Sequence, residues 1–441
     1  MNETMIICSG LIFSIGTYII WPSKQNILAH IKLGFVFTSI IIPVLLADVL
    51  KEFDENLVTR FSYISIISAI FYLLGILYGF YFKIPFQKSI IGELILKRIH
   101  HEEVVNFISK YTPSIAIFGI LLIFLCFAAF GFIPAFSENP FQAKFFRGEY
   151  KAAYQPFAVP YRLAYQLISI CSVILLATFF IKNRKFYLYL SFVCFIVLLL
   201  TLTRGPAAYA LILFFACLSI YYKKWFPIFI IFVSIIYPLG SLFYWFLGNI
   251  FDIKQLSSIY NGYNIWESIA AGSPDVPDQI NFLKGFEGLG SPLSFGKTFF
   301  GGLVPYNYFW NPSVYSLYIV NNGSADISTL SSGGVRVGLP LWGYSSFGWI
   351  GVILVSFLSG TIWGISTKYI KKSLQRLNVI SNMRLKVGSA LILFYIYDNV
   401  FRLISEFYIF SIYSLVSILI IRLFLYGNML IKDKPITPKN S

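Results

Sequence analysis

The sequence predicts an all-α integral membrane protein, formed by residues 1–441 as one polytopic domain with about 11 transmembrane helices and one large outer loop. Composition predicts this fold class, because 57% of the residues are hydrophobic and only 12% are charged. The mean hydropathy is +0.74. A water-soluble domain of this length needs far more polar residues to cover its surface.

Apolar runs long enough to cross a hydrocarbon layer of about 30 Å recur along the whole chain. They lie near residues 5–21, 33–49, 62–82, 113–135, 163–181, 187–203, 205–222, 226–248, 343–366, 387–403 and 407–426. Two longer polar segments separate them, a second outer loop at residues 136–162 and the large outer loop at residues 249–342.

The distribution of charge predicts the side of the membrane on which each segment lies. With the N-terminus outside and the C-terminus in the cytoplasm, 22 of the 34 Lys and Arg residues are cytoplasmic, but only 4 of the 19 acidic residues. This choice satisfies the positive-inside rule. The basic balance therefore reflects topology and attraction to anionic membrane lipids. It gives no support for nucleic-acid binding, which needs a basic patch on an exposed folded face.

The cysteines and histidines exclude several kinds of site on the outer face. All five cysteines fall inside predicted spans, so we expect neither a disulfide framework nor a metal site. The three histidines lie in predicted cytoplasmic segments. Chemistry on the outer face therefore cannot use histidine as a base or as a metal ligand.

Aromatic residues are frequent in the large outer loop and just beyond it. Tyr306, Trp310 and Tyr344 are candidate substrate-binding residues, because aromatic rings with polar tips bind the apolar faces and hydroxyls of sugars. A loop that lies on the bilayer surface would use the same residue types at the headgroup level. Composition alone leaves both interpretations open.

Five of the arginines on the predicted outer side are candidate site residues. Arg147 and Arg162 belong to the second outer loop, Arg204 lies in TLTRGPAAY, Arg336 in SSGGVRVG and Arg402 in DNVFRLISE. Arginine at membrane depth is costly and usually has a partner or an anionic ligand. Its planar guanidinium suits phosphate oxygens. Extension of the side chain to the interface is the alternative explanation.

Arg204 combines two features of an anion site. It lies in a tight turn between two spans, and Pro206 is tolerated in the first turn of the helix that follows. The free backbone N–H groups at that helix start would lie beside the guanidinium. A lipid-linked pyrophosphate would have its phosphates at this depth.

Three charged residues recur every fourth position, Asp398, Arg402 and Glu406. A helix that continues through them would stack them on one face, either as a structural ion-pair ladder or with one carboxylate as general base. Acids elsewhere give a weaker indication of function. They are Glu52, Asp54 and Glu55 in KEFDEN, and Asp275 with Asp278 in SPDVPD.

Three segments occur in an order that resembles the bacterial oligosaccharide repeat-unit polymerases, the O-antigen polymerase family. They are LTRGPAAYAL, FGKTFFGGLVPYNYFWNP and SSGGVRVGLPLWGYSSFGWIGVILVSFLSGTIWG. The resemblance implies a GT-C-like membrane glycosyltransferase, without a metal or cofactor, on the outer face of the bacterial cytoplasmic membrane. It would transfer a growing glycan from undecaprenyl pyrophosphate onto one new lipid-linked repeat unit. The resemblance also implies that Arg204 and Arg336 face the pyrophosphate, and that a chain-length regulator is a partner.

Three alternatives belong to other classes. An O-antigen ligase relies on a histidine in the large outer loop, and none is present there. A lipid-linked oligosaccharide flippase would have more spans and charged residues around a central cavity. A polyprenyl-phosphate-sugar glycosyltransferase would need Glu52 and Asp54 as its essential acids.

Overall fold

A computed structural model describes residues 1–82, 102–257, 266, 275–304, 308–324, 334–378, 380–406 and 410–432. Within these ranges the chain is all-helical, as the sequence predicts, and long helices dominate. They are α1 (Asn2–Ile20), α2 (Ile27–Leu46), α3 (Glu55–Tyr81), α4 (Glu102–Phe130), α5 (Ala158–Lys182), α6 (Lys185–Leu200), α7 (Arg204–Tyr221), α8 (Trp225–Ile250), α9 (Leu339–Leu377), α10 (Met383–Ser405) and α11 (Ile412–Lys432).

Among the described residues, six helical segments are long and apolar enough to cross a membrane. They are Asn2–Ile20, Ile27–Leu46, Glu55–Tyr81, Ile108–Phe130, Pro140–Lys182 and Leu339–Leu377. Shorter apolar helices occur at Lys185–Leu200, Gly205–Tyr221, Trp225–Ile236 and Ile412–Leu423. These helices support the prediction of a membrane protein. The count of eleven spans and the orientation of the termini stay predictions.

Side-chain caps determine where several helices begin. The Asp54 carboxylate accepts hydrogen bonds from the backbone N–H groups of Asn56, at 2.9 Å, and Leu57, at 3.2 Å, at the start of α3. Asn382 caps α10 in the same way. A cap satisfies N–H groups that have no partner within the helix. Asp54 therefore has a structural function in this chain.

Close packing of α3 on α9 forms one half of the bundle. Gly75 and Gly79 of α3 lie against Gly360 and Gly364 of α9, so closely that a Cβ at any of these positions would meet a backbone atom of the other helix. Small residues spaced four apart allow this approach in membrane helices. Buried serine hydroxyls of the two helices also hydrogen-bond across the contact.

The other half of the bundle surrounds α5. This helix packs against α4, α6, α7, α10 and α11, and its residues Ile168, Cys171 and Leu175 are fully buried. α2 lies between the halves, with contacts to α1 on one side and to α7 and α8 on the other. The arrangement leaves space between α5, α6, α7, α8, α10 and α11, where the candidate site lies.

The described part of the large outer loop folds onto the bundle. Its helices Asp275–Gly288 and Pro312–Val320 pack together and bury Phe282, Phe286 and Tyr315. The loop's rings therefore belong to a core that the loop shares with α1, α2, α3 and α9. The chain also approaches the connection between α10 and α11, because Gly302 and Ser411 form an isolated β-bridge.

A kink in α9 joins this loop to the membrane helices. Phe347 and Gly348 have non-helical backbone angles, and Gly348 has φ +62°. The carbonyl oxygens just before the kink accept hydrogen bonds from the loop: Ser294 N–H donates to Ser345 O at 2.9 Å, and Phe295 N–H to Ser346 O at 3.1 Å. A kink interrupts the helical ladder. Here the loop supplies donors for its carbonyls.

Replacement of Gly360 by Ala tests the contact between α3 and α9. The new methyl group meets the Tyr72 carbonyl, so we expect a loss of about 1–3 kcal/mol in stability and a lower midpoint of thermal unfolding in detergent. Gly288→Ala is the matched control, because nothing lies within 4 Å of its Cβ position. Equal midpoints for the two variants would contradict close packing at Gly360.

Candidate functional site

The largest of the cavities described here has a volume of about 840 Å³ and lies between α5, α6, α7, α8, α10 and α11. We call it the chamber. Its polar lining consists of Lys144, Tyr165, Gln166, Ser169, Thr203, Tyr209, Arg336, Tyr395, Asn399, Arg402, Tyr413 and Ser417. Three of these side chains are cationic, and among the described residues no carboxylate lines the chamber. A cavity lined by one sign of charge attracts ligands of the opposite sign.

Much of the remaining lining of the chamber is apolar, and two helices at the outside of the bundle contribute to it. Their residues in this lining are Phe192, Phe195, Ile196 and Leu199 of α6 and Ile236, Leu239 and Phe243 of α8. Three of these residues are also exposed on the protein surface: Phe192 to 47%, Ile196 to 58% and Leu239 to 42%. The chamber therefore has both a polar and an apolar lining, and part of its apolar lining also belongs to the protein surface.

Two acids of the large outer loop hold Arg336. The backbone N–H of Arg336 donates to Asp278 Oδ2 at 3.1 Å, and its Nη1 lies 3.3 Å from Asp275 Oδ2. Burial raises the pKa of Asp278, and the hydrogen bond and charge of Arg336 oppose this shift. The sequence analysis named Asp275 and Asp278 but assigned no specific function to them. The structure shows that they position Arg336.

Arg336 also lines a second cavity, which we call the loop cleft. This cavity of about 550 Å³ lies between the loop and the start of α9. Its polar lining consists of Asp275, Gln279, Asn311, Ser313, Arg336 and Ser411. Arg336 thus lines both the loop cleft and the chamber.

Arg402 enters the chamber from α10. Its Nε lies 3.9 Å from Asp398 Oδ2, and its guanidinium carbon lies 5.7 Å from the centre of the Tyr209 ring. Asp398 is 8% exposed at its side chain, and Arg402 is 44% exposed. The carboxylate is therefore behind the arginine, and the arginine faces the chamber.

The predicted ladder of Asp398, Arg402 and Glu406 reaches the end of α10 at its third member. α10 ends at Ser405, and Glu406 is its C-cap residue, with φ −112° and ψ 76°. Asp398 and Arg402 do form the expected pair four residues apart. Glu406 instead lines a separate pocket between α1, α2, α3 and α9.

The turn before α7 brings the start of that helix to the chamber. Leu202 has φ +57°, and α7 begins at Arg204. Gly205 and Pro206 line the chamber, so the N-terminal end of an 18-residue helix faces it. The side chain of Arg204 lies outside the part of the chain that the structure describes, as does all of Tyr306.

The second outer loop contributes a different residue from those predicted. Arg162 is exposed and donates from Nε to the Tyr154 hydroxyl at 2.9 Å, and neither it nor Arg147 lines the chamber. Lys144 of the same loop does line it. The direction of side chains in this irregular segment is not readable from the sequence.

The predicted aromatic residues Trp310 and Tyr344 pack within the protein. Trp310 stacks on Tyr315 with ring centres 5.5 Å apart, and Lys297 lies 4.9 Å from its ring centre. Tyr344 contacts Phe286 at 5.9 Å. Neither lines the chamber or the loop cleft, so these rings stabilise the folded loop.

The surroundings of Lys32 differ from those expected from the charge distribution, in which Lys32 is one of the cytoplasmic residues. The structure places its Nζ 3.8 Å from the centre of the Trp363 ring, and it is attracted by Glu406 and Asp398. Those carboxylates lie on the opposite predicted side. The sequence does contain a signal for this pairing. Lys32 lies inside the apolar run ILAHIKLGFVF, and charged residues within the membrane usually have partners.

Comparisons of the chain with models of protein families, with curated protein sequences and with solved structures found no match.

Replacement of Lys144 by Ala tests whether the chamber binds anions. We expect the purified protein in detergent to bind inorganic pyrophosphate, and Lys144→Ala to weaken this binding by about 10-fold, since a charge-assisted contact is lost. Isothermal titration calorimetry measures both constants. Lys151→Ala is the matched control, because Lys151 is exposed in the same loop and does not line the chamber. Equal weakening in both variants would contradict a specific site.

Proposed function

We propose that the protein is a membrane glycosyltransferase that polymerises undecaprenyl-pyrophosphate-linked oligosaccharide repeat units into O-antigen or a related surface polysaccharide. The chamber is the observation that carries this proposal. Lys144, Arg336, Arg402 and the start of α7 line one cavity, and its apolar lining includes residues that are exposed on the protein surface. A pyrophosphate with a long hydrocarbon chain has these same two parts.

The cations of the chamber would stabilise the leaving group. In the proposed reaction the bond between the donor sugar and its pyrophosphate breaks, and negative charge develops on the phosphate oxygens. One well-placed donor typically contributes about 3 kcal/mol to such a transition state. Arg336 and Arg402 are positioned for this by their carboxylate partners, Asp275 and Asp398.

The acceptor hydroxyl needs a general base. Two carboxylates are candidates, Asp398 within α10 and Glu406 just after its end. Asp398 is buried behind Arg402, which suits it to holding that arginine. Glu406 lies beyond the helix end and lines a pocket. We therefore assign Glu406 as the general base. Proton transfer to a positioned side chain typically raises a reaction rate by roughly 10²- to 10⁴-fold.

The same proposal specifies topology and partners. All eleven long helices would cross the cytoplasmic membrane, with the N-terminus outside and the C-terminus inside, so that the large outer loop and Arg336 lie on the outer face. The donor and acceptor are both lipid-linked glycans. A chain-length regulator remains the protein partner that the resemblance implies.

The carboxylate of Asp54 argues against a polyprenyl-phosphate-sugar glycosyltransferase. It caps α3, and neither it nor Glu52 lines the chamber. A ligase would need the missing outer-loop histidine. A flippase is the second candidate, because Lys32, Asp398 and Arg402 place charges inside the bundle, as transporters do.

Deletion of the gene in its host, with analysis of the surface glycan by gel, tests the proposal. We expect glycan that stops at one repeat unit, and restoration of the full ladder by the wild-type gene. Arg336→Ala should restore almost no ladder, because the loss of one charged donor costs roughly 100-fold in rate. Arg60→Ala is the control, because Arg60 pairs with Glu287 at 2.8 Å and does not line the chamber.

Two results would contradict the proposal. An unchanged ladder after deletion would show that the protein does not make this polymer. Loss of even the single repeat unit from the surface would favour the flippase or the ligase. Immunoblots of membranes must show equal amounts of wild type, Arg336→Ala and Arg60→Ala, so that activity is compared at equal expression.

A further inference from the structure

A third cavity, which we call the slot, lies between α1, α2, α3 and α9. It has a volume of about 300 Å³, and Ser9, Lys32, Tyr72, Ser359, Trp363 and Glu406 are among its lining residues. Phe35 lines both the slot and the chamber, and Gln279 lines both the slot and the loop cleft. The slot is therefore a neighbour of the proposed donor site and is separate from it.

A buried hydroxyl in the slot has no protein partner. Ser359 is 1% exposed, and among the described residues its Oγ has no hydrogen-bond partner. Buried polar atoms nearly always have a partner, so an exception calls for an explanation. A ligand with a hydroxyl in the slot would supply both a donor and an acceptor for Ser359.

Charge in the slot is balanced, in contrast with the lining of the chamber. The Lys32 ammonium donates to the Tyr72 hydroxyl at 3.3 Å and lies against the Trp363 ring. Glu406 and Asp398 attract it, and Arg402 repels it. Of the residues that line the slot, one is a cation, Lys32, and one is a carboxylate, Glu406. Such surroundings favour a neutral ligand with many hydroxyls over a second anion.

We propose that the slot binds the terminal sugar of the acceptor glycan, a neutral saccharide that is recognised through its hydroxyls. This inference rests on the proposed polymerase function. Ser359, Lys32 and Glu406 are the groups that would hydrogen-bond the sugar, since the Tyr72 hydroxyl already accepts from Lys32 and the Lys32 ammonium lies over the Trp363 ring. A volume of about 300 Å³ is at the lower limit for small-molecule sites and suits a short saccharide end.

The slot brings the acceptor to the reacting groups. Glu406 lines the slot and Arg402 lines the chamber, and the Glu406 backbone N–H donates to Arg402 O at 2.9 Å. The acceptor hydroxyl oxygen forms the new bond to the anomeric carbon of the donor. The bond from that carbon to the pyrophosphate oxygen breaks, and the pyrophosphate leaves with the electron pair. Glu406 takes the hydroxyl proton.

Binding of a lipid-free glycan to the full chain in nanodiscs tests the slot. The probe is the host's repeat-unit oligosaccharide, released from its lipid carrier by mild acid, and calorimetry measures its affinity. We expect Ser359→Ala to weaken binding by about 5-fold and Lys32→Met by about 10-fold. Ser366→Ala is the matched control and should bind as the wild type does. Ser366 is also buried in α9 without a partner for its hydroxyl, but it does not line the slot.

The outcomes separate the slot from the polymerase function. If the wild type does not bind the oligosaccharide, or if Ser359→Ala binds it unchanged, the slot assignment is overturned even when the host ladder is made. If binding is weakened as expected while deletion leaves the ladder intact, the slot stands as a glycan site and the polymerase function fails. In a polymerisation assay, Ser359→Ala should raise the KM for the single-unit acceptor while pyrophosphate affinity stays unchanged. A lower kcat at unchanged KM would overturn the assignment to the acceptor.

Discussion

The close backbone contact between α3 and α9 determines where many of the polar side chains lie. Four glycines permit this contact. Van der Waals packing stabilises it, because the hydrophobic effect does not drive helices together within lipid. Tyr72 lies on α3 beside this contact, and Ser359 and Trp363 lie on α9, so the walls of the slot are set by the same crossing. The N-terminal end of α9 follows Arg336 directly.

The kink in α9 extends this constraint to the large outer loop. Its carbonyl oxygens at Ser345 and Ser346 accept N–H groups of the loop, and the loop's acids in turn hold Arg336. An outer loop of this length could have been an independent domain. Here its hydrogen bonds depend on the conformation of a membrane helix, so we infer that its position and that of the helix are coupled. Arg336 lies at the junction of the two parts.

The sequence predicted the helical fold well, because apolar runs report directly on burial in lipid. It predicted depth and side-chain direction less well. The spacing of four residues predicted that Arg402 and Glu406 belong to one helix. The helix ends at Ser405, and no Gly or Pro in the residues that follow marks this end in the sequence. Lys32 was predicted to be cytoplasmic because it lies between the first two apolar runs. The carboxylates that attract it, Glu406 and Asp398, are distant in sequence. Lys144 and Arg147 are three residues apart in one loop, and only folding decides which of them faces the chamber.

Charge explains why the site has two compartments. In the chamber the carboxylates Asp398 and Asp278 lie behind the arginines, so the described lining is cationic and suits a ligand that carries its own negative charge. In the slot Lys32 and Glu406 both line the cavity, and a second anion would meet a carboxylate. The proposed reaction between a pyrophosphate donor and a hydroxyl acceptor fits this difference, because a cationic cavity favours the donor and a cavity of balanced charge favours the neutral acceptor end. The end of α10 separates them, with Arg402 on one side and Glu406 on the other.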